Sequence, residues 1–140
     1  MITTEKDTGL MKIPQGLTKA QFDDVATLLR SEAGHIGDDI LVHGSRAKGN
    51  ASAKSDIDFA IRVPHEKFDA MIKSRFGSPN PDSAKFRTMQ HAVSTGKIQA
   101  GEAGLRAVRR ELQKRLGMKA DLSVIRTGGH FDQGPYIPIP

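Results

Sequence analysis

The segment Leu41–Val63, LVHGSRAKGNASAKSDIDFAIRV, constrains the fold of this chain more than any other. It consists of two apolar runs joined by a polar loop. The first run ends in Gly44-Ser45, and the second begins with Asp56 and Asp58. Side chains two residues apart on a strand point to the same face, so the two aspartates are predicted to lie side by side. Adjacent carboxylates repel each other, and a bound divalent cation would remove that repulsion. The segment therefore predicts a cation site at a strand end.

Composition limits the classes of protein to which the chain can belong. With 140 residues, 37% hydrophobic and 26% charged, it has the size and balance of one globular domain. Apolar runs stay far below the roughly 18 residues of a membrane helix, and the N-terminus lacks a signal-peptide pattern. The absence of cysteine excludes disulfide and thiolate chemistry. A net charge of +5 favours polyanionic partners such as nucleotides or RNA, although small domains often carry a few extra lysines.

Hydrophobic periodicity predicts an α+β fold, a small mixed β-sheet covered by helices. We expect an irregular lead-in over 1–16 and a single domain over 17–140. Strands are predicted over 40–43, 58–63 and 120–125. Helices are predicted from the Thr18 capping box to Gly34 and over 65–76, 83–94 and 101–116. We expect the apolar face of the helix over 83–94 to be formed by Phe86, Met89 and Val93. The Gly- and Pro-rich tail is expected to be extended.

Two motifs together carry a resemblance to a known family. Gly44-Ser45-Arg46-Ala47-Lys48-Gly49, followed after five residues by Ser55-Asp56-Ile57-Asp58, resembles the pattern of the DNA polymerase β-type nucleotidyltransferase superfamily, especially its minimal members. The resemblance implies transfer of a nucleotidyl group from a nucleoside triphosphate, such as ATP, to an acceptor hydroxyl. It also implies Mg²⁺ (or Mn²⁺) as the cofactor.

The same resemblance implies roles for the motif residues. Asp56 and Asp58 would hold the metal through carboxylate oxygens. Gly44 has no Cβ, so that a phosphate can approach the backbone, and Ser45 offers a hydroxyl and an amide to phosphate oxygens. Arg46 and Lys48 either hold the triphosphate or keep the loop soluble.

A third carboxylate from a later strand is implied by the family, and Asp121 is our candidate for it. Asp121 opens the run Ala120–Ile125, in which Leu122 and Val124 are apolar. Strand alternation would place Asp121 on the face opposite those two residues. An aspartate at a strand start can also cap a turn, and this alternative stays open. His43 precedes the Gly-Ser turn and is expected to be a packed strand residue rather than a catalytic base.

Basic residues after the second predicted strand suggest an acceptor. A phosphate-rich acceptor such as tRNA could follow them, but a charged stripe on an amphipathic helix is also typical of its solvated face. Superfamily acceptors also include protein side chains and small molecules. Two alternatives are a catalytically silent nucleic-acid-binding module and an antitoxin-type minimal nucleotidyltransferase that modifies a partner protein. The basic residues are Lys85, Arg87, Lys97, Arg106, Arg110 and Lys114.

A second resemblance concerns the later half of the chain. The stretch GKIQAGEAGLRAVRRELQKRLG and the closing GPYIPIP are similar to C-terminal domains of bacterial polymorphic and contact-dependent toxins. This resemblance implies a toxin domain at the tip of a larger secreted effector. Such a domain would act in the cytoplasm of a competitor and be neutralised by a cognate immunity protein. A free-standing cytoplasmic enzyme is the alternative.

Overall fold

The chain folds into five helices and five strands among the described residues, which confirms the α+β prediction. The computed structural model describes residues 12–140. These form α1 (Lys19–Ala33), β1 (Ile40–His43), α2 (Ser45–Lys48), β2 (Ile57–Val63), α3 (His65–Phe76), α4 (Ala84–Thr95), β3 (Lys97–Gln99), α5 (Arg106–Leu116), β4 (Ala120–Arg126) and β5 (Ile137–Pro138). Most of the expected lead-in lies outside the described residues. Its described part, residues 12–16, forms no helix or strand.

The first long helix shows how local sequence signals set an element. Thr18 accepts a hydrogen bond from the Gln21 amide at 3.1 Å, and the Gln21 side chain accepts one from the Thr18 amide at 2.9 Å. This capping box satisfies amide groups that a helix start leaves without partners. Gly34 ends the helix, as expected. An apolar stripe of this helix is buried in the main core; it comprises Phe22, Val25, Ala26 and Leu29.

The five strands form one mixed sheet in the order β3-β4-β2-β1-β5. β2 and β4 run parallel, and the other neighbouring pairs are antiparallel. A parallel pair needs a long crossover connection, which α3, α4, β3 and α5 provide here. The predicted mixed sheet is thereby confirmed, with β2 at its centre.

The two faces of the sheet have different coverings. Helices pack on one face, where Phe59 and Leu122 are fully buried in the main core. On the other face Leu41, Ala60 and Ile125 form a small apolar cluster. Aromatic side chains of the C-terminal segment, residues 127–140, cover this cluster. They are Phe131 and Tyr136.

An ion-pair cluster holds the C-terminal segment on the second face. The Arg62 guanidinium contacts Asp39 at 2.7 Å and Asp132 at 3.0 Å, and it lies 4.8 Å from the centre of the Tyr136 ring. The Tyr136 hydroxyl donates to Asp132, as does the Gly128 amide. Burial acts to raise the pKa of Asp132, but these donors together lower it below its usual value. The carboxylate therefore stays charged and keeps the segment against β2.

Several sequence-based expectations differ from the structure. The helix predicted over 101–116 begins at Arg106, because residues 100–104 form a turn with Gly104 at a φ of +77°. Strands β3 and β5 were not predicted. In α4 the side chain of Val93 is 44% exposed, whereas Ala92 is buried. Consecutive helix residues point about 100° apart. The orientation of α4 therefore places Ala92, and not Val93, toward α3 and β3.

Among residues 12–140, none of the helices is both long and apolar enough to cross a membrane.

Candidate active site

Three polar side chains form a row across the open end of the second face. In the strand register, His43 of β1 lies opposite Asp58 of β2, and Asp58 lies opposite Asp121 of β4. Directly opposed residues on neighbouring strands point to the same face, with Cβ atoms about 4.5–5.5 Å apart in an antiparallel pair. All three residues are half-buried. The sheet therefore brings together two of the three carboxylates expected from the sequence.

The neighbouring Asp56 lies at the edge of this row. It immediately precedes β2 and is half-buried, and its charge acts on Asp58. The strand predicted from Asp58 begins at Ile57, so Asp58 lies within it and Asp56 lies just outside it.

Gly44 faces the carboxylate of Asp58. Its φ of +79° belongs to the region that favours glycine, and a Cβ placed on it would lie 2.5 Å from Asp58 Oδ2. A larger residue would be strained at this φ and would force the Asp58 carboxylate to move. The sequence predicted that a phosphate approaches the backbone of Gly44. In this structure the Asp58 carboxylate lies close to Gly44 instead.

The polar loop after Gly44 begins with the single-turn helix α2. Amides of Ala47 and Lys48 donate to the Gly44 carbonyl at 3.1 and 3.0 Å, and Gly49 ends the turn with a left-handed φ of +85°. Ser45 opens the turn, is half-buried and directly follows Gly44, which faces the Asp58 carboxylate. Lys48 is exposed.

Arg46 is buried in the loop, whereas the sequence left it either holding the triphosphate or keeping the loop soluble. The side chain is 5% exposed, and its guanidinium donates to the carbonyl of Ser55 at 2.7 Å and to that of Gln15 at 2.7 Å. The Gln15 side chain in turn pairs with the backbone of Ala51. Because its donors are turned into the loop, Arg46 ties together the chain segments around the motif. We leave it out of the proposed nucleotide site.

The site has an unusual electrostatic balance. Burial raises the pKa of Asp58 above its ordinary value, and the nearby charges of Asp121 and Asp56 raise it further, while Lys97 opposes them. Burial and the Lys97 charge lower the pKa of His43, against the opposing effect of Asp121. At neutral pH the imidazole is therefore neutral.

The lysine in this balance was not among the expected site residues. Lys97 begins β3, and its ammonium lies 3.6 Å from Asp121 Oδ2 and 4.6 Å from the centre of the Phe131 ring. The sequence favours either an acceptor contact or a solvated face for this lysine, but its side chain is only 15% exposed. A three-residue strand has no periodicity that would have revealed this placement.

The donor set fits a hard divalent cation in its chemistry. Asp58 and Asp121 present carboxylate oxygens on one face, and such oxygens are the ligands that Mg²⁺ prefers, with substrate phosphates completing its coordination. Within residues 12–140, however, no group of three or more acidic, histidine or cysteine side chains is close enough to hold a metal. The structure thus gives a carboxylate pair beside an ammonium rather than a closed three-carboxylate cage.

Comparison with known families agrees with the motif and the fold. A family model described as a nucleotidyltransferase domain matches residues 23–137. This chain belongs to that family and is a nucleotidyltransferase enzyme with a nucleotide substrate. The family generally uses a nucleoside triphosphate and a divalent metal. Comparisons with curated proteins and with solved structures gave no match.

Proposed function

We propose that the chain transfers a nucleotidyl group from a nucleoside triphosphate, such as ATP, to an acceptor hydroxyl. The observation that supports this most directly is the juxtaposition of Asp58 and Asp121 next to the Gly44-Ser45 turn. The acceptor oxygen would form a bond to the α-phosphorus. The bond from that phosphorus to the bridging oxygen would break, pyrophosphate would leave, and the hydroxyl proton would pass to a carboxylate or to solvent.

The proposed roles follow the positions of the side chains. Asp58 and Asp121 would hold Mg²⁺, with Mn²⁺ as a substitute, and Asp56 would turn toward the bound ion as a third ligand. When bound, such an ion supplies charge neutralisation for an in-line displacement at phosphorus. Gly44 and Ser45 would face the phosphates, and the exposed Lys48 is free to reach the outer ones. The proposed functional unit is the single domain over 17–140.

We propose RNA, with tRNA as the first candidate, as the acceptor. Five of the six basic residues considered above are exposed, and the net charge of the chain is +5. Such a surface favours a phosphate backbone through sequence-independent electrostatics. Protein side chains are the alternative acceptors. Labelling with either total tRNA or cell protein distinguishes the two. The exposed residues are Lys85, Arg87, Arg106, Arg110 and Lys114.

We further propose that this activity serves a toxin in bacterial competition, delivered to the cytoplasm of a target cell and opposed by an immunity protein. The support is the resemblance of the segment from Gly96 to Gly117 and of the closing residues to toxin domains. In the structure this segment forms β3, the following turn and α5, and β3 contributes Lys97 to the candidate site.

The reaction is tested by incubating the chain with each α-labelled nucleoside triphosphate, Mg²⁺, and either total tRNA or cell protein. We expect label in the RNA fraction, and none with the Asp56→Ala, Asp58→Ala double variant. Asp23→Asn, an exposed aspartate on α1, is the matched control and should label as well as the wild type. Equal labelling by the double variant would overturn the proposal, and label in protein would overturn RNA as the acceptor.

The biological role is tested by induced expression in a bacterial host. Growth arrest that requires Asp56 and Asp58, with an added nucleotide mass on cellular RNA, supports the toxin. Unimpaired growth together with rescue from a co-expressed partner toxin would instead indicate the antitoxin-type alternative.

A further inference from the structure

Lys97 lies in the candidate site although it belongs to neither motif. Its register partner on β4 is Ile125, four residues along the strand from Asp121. At about 3.3 Å per residue, this separates the two backbone positions by roughly 13 Å. The lysine side chain must therefore run along the second face of the sheet, because its ammonium lies 3.6 Å from Asp121 Oδ2.

The C-terminal segment keeps the lysine in this position. Phe131 lies over the ammonium, with 4.6 Å between the nitrogen and the ring centre. The next residue, Asp132, is bound by Arg62, the Gly128 amide and the Tyr136 hydroxyl, so the backbone beside the ring is anchored to the sheet. Cation–π contact of this kind stabilises a charge that is partly removed from water. The ammonium is thus built into the site rather than carried on a free side chain.

The charge of Lys97 acts on the whole row of polar residues. It pairs with Asp121, opposes the effect of the other carboxylates on Asp58, and disfavours a charged His43. A divalent cation held by Asp58 and Asp121 would neutralise the same carboxylates. The ammonium and the cation would then repel each other at short range.

We propose that Lys97 is a built-in counter-ion of the Asp58–Asp121 carboxylate pair. A divalent cation displaces the Lys97 ammonium from this pair, and the ammonium then binds the phosphates of the nucleotide. This inference rests on the proposed metal-dependent function. It assigns Lys97 opposite effects in two states. The lysine hinders the divalent cation when it binds alone, and it favours the cation when a triphosphate arrives with it. A lysine that served packing or solubility would not change the two affinities in opposite directions.

The test uses the full chain and two binding measurements. Mn²⁺ is titrated alone, followed by its electron paramagnetic resonance signal. Mn²⁺ is then titrated together with a nucleoside triphosphate analogue that carries a methylene group in place of the α,β-bridging oxygen. The analogue of each nucleobase is used in a separate titration. In Lys97→Met the unbranched side chain can still pack under Phe131 without its charge. We expect this variant to bind Mn²⁺ alone about fivefold more tightly and the Mn²⁺–analogue pair about fivefold more weakly.

Two variants serve as controls. Lys97→Arg keeps the charge but changes its geometry, so it should not produce the opposite changes expected of Lys97→Met, and any shift should have the same direction in both titrations. Lys19→Met removes an exposed lysine that pairs with Asp23 at 2.7 Å on α1, and it should also leave both affinities unchanged. Circular dichroism and urea unfolding show whether each variant is folded, and Lys97→Gln replaces Lys97→Met if the latter is not.

Asp58→Asn and Asp121→Asn separate the two possible failures. If neither variant weakens Mn²⁺ binding, the proposed cation site is wrong and the counter-ion inference fails with it. If both weaken it while Lys97→Met leaves the affinity for Mn²⁺ alone unchanged or lowers it, the proposed function stands and the counter-ion inference is overturned. A loss of affinity in both titrations of Lys97→Met would also overturn it.

Discussion

The two faces of the sheet are built from the same strands but have opposite chemistry. On β4, Leu122 and Val124 point into the helix-covered core and are fully buried, whereas Asp121 points to the other face and is half-buried. The helix face excludes water along the whole sheet. The second face is divided into a part covered by the C-terminal segment and an open end with the carboxylates.

This difference separates folding from chemistry within single strands. A side chain on the helix face contributes mainly through burial of apolar area, about 25 cal/mol per Å² removed from water. A carboxylate on the open face destabilises the folded state through its desolvation and through repulsion by its neighbours, as the raised pKa of Asp58 indicates. Neighbouring positions of one strand should therefore respond to substitution in opposite ways.

The largest effect is expected at the open end. Asp58→Asn and Asp121→Asn should each reduce nucleotidyl transfer by at least about 10³-fold, which corresponds to about 4 kcal/mol of lost transition-state stabilisation. Without metal, the free energy of unfolding of Asp58→Asn should equal or exceed that of the wild type, since a partly buried, repelling charge is removed. Asp121→Asn also loses its ion pair with Lys97, so its stability does not test the contrast. Labelled transfer and urea unfolding measure the two quantities. A large loss of stability in Asp58→Asn would contradict the contrast between the faces.

Leu122→Ala changes the residue next to Asp121 and faces the core. We expect the free energy of unfolding to fall by about 2–5 kcal/mol, because a fully buried leucine side chain is lost and a cavity remains. Urea titration followed by circular dichroism measures this change. In the fraction that stays folded, transfer activity should be retained. A fall in specific activity comparable to that of Asp121→Asn would show that the two faces are not independent.

Asp132→Ala tests the ion-pair cluster that holds the C-terminal segment on the second face. It removes the acceptor shared by Arg62, Tyr136 and the Gly128 amide, and we expect a loss of about 1–3 kcal/mol in unfolding free energy. Asp69→Ala removes an exposed partner of His65 on α3 and should cost less than about 0.5 kcal/mol. Thermal unfolding measures both losses of stability. Equal losses in the two variants would contradict a stabilising role of the ion-pair cluster.

The smallest effect is a pH dependence of stability at Asp58. Its pKa is raised in the folded protein by burial and by Asp121, so the folded state binds this proton more tightly than the unfolded chain does. The wild type should therefore lose stability relative to Asp58→Asn as the pH rises from the ordinary aspartate value through the raised one. Urea unfolding across this range, with a chelator present, measures the difference between the two proteins. A difference that shrinks as the pH rises would contradict the raised pKa.

Much of the architecture follows from local sequence signals. The capping box at Thr18 sets the start of α1, and α3 has the boundaries that periodicity predicted. The Gly-Ser and Asp-x-Asp motif predicted the family, which the family match over residues 23–137 confirms. The alternation around Asp121 predicted its face, because a side-chain period of two needs no knowledge of the partner strand. The metal and phosphate roles of these residues stay predictions.

Other features depended on contacts between distant parts of the chain. β3 is three residues long and gains its hydrogen bonds from β4, so no local period announces it. The exposed Val93 and buried Ala92 differ by one helix position, and the orientation of α4 against α3 and β3 selects between them. Arg46 lies in a motif of small and polar residues, yet the carbonyls of Ser55 and Gln15 make it a buried anchor.

The adjacent carboxylates, the glycine between strand and helix, and the apolar stripes are properties of short segments, so the order of residues was sufficient to predict the reaction class and the fold class. Sheet register placed Asp58 opposite Asp121, and the pairing of β3 brought in Lys97 from 24 positions before Asp121. Side chains that far apart in sequence meet through strand pairing and packing, and no single segment contains that information. The tertiary structure therefore decided which charges surround the carboxylates.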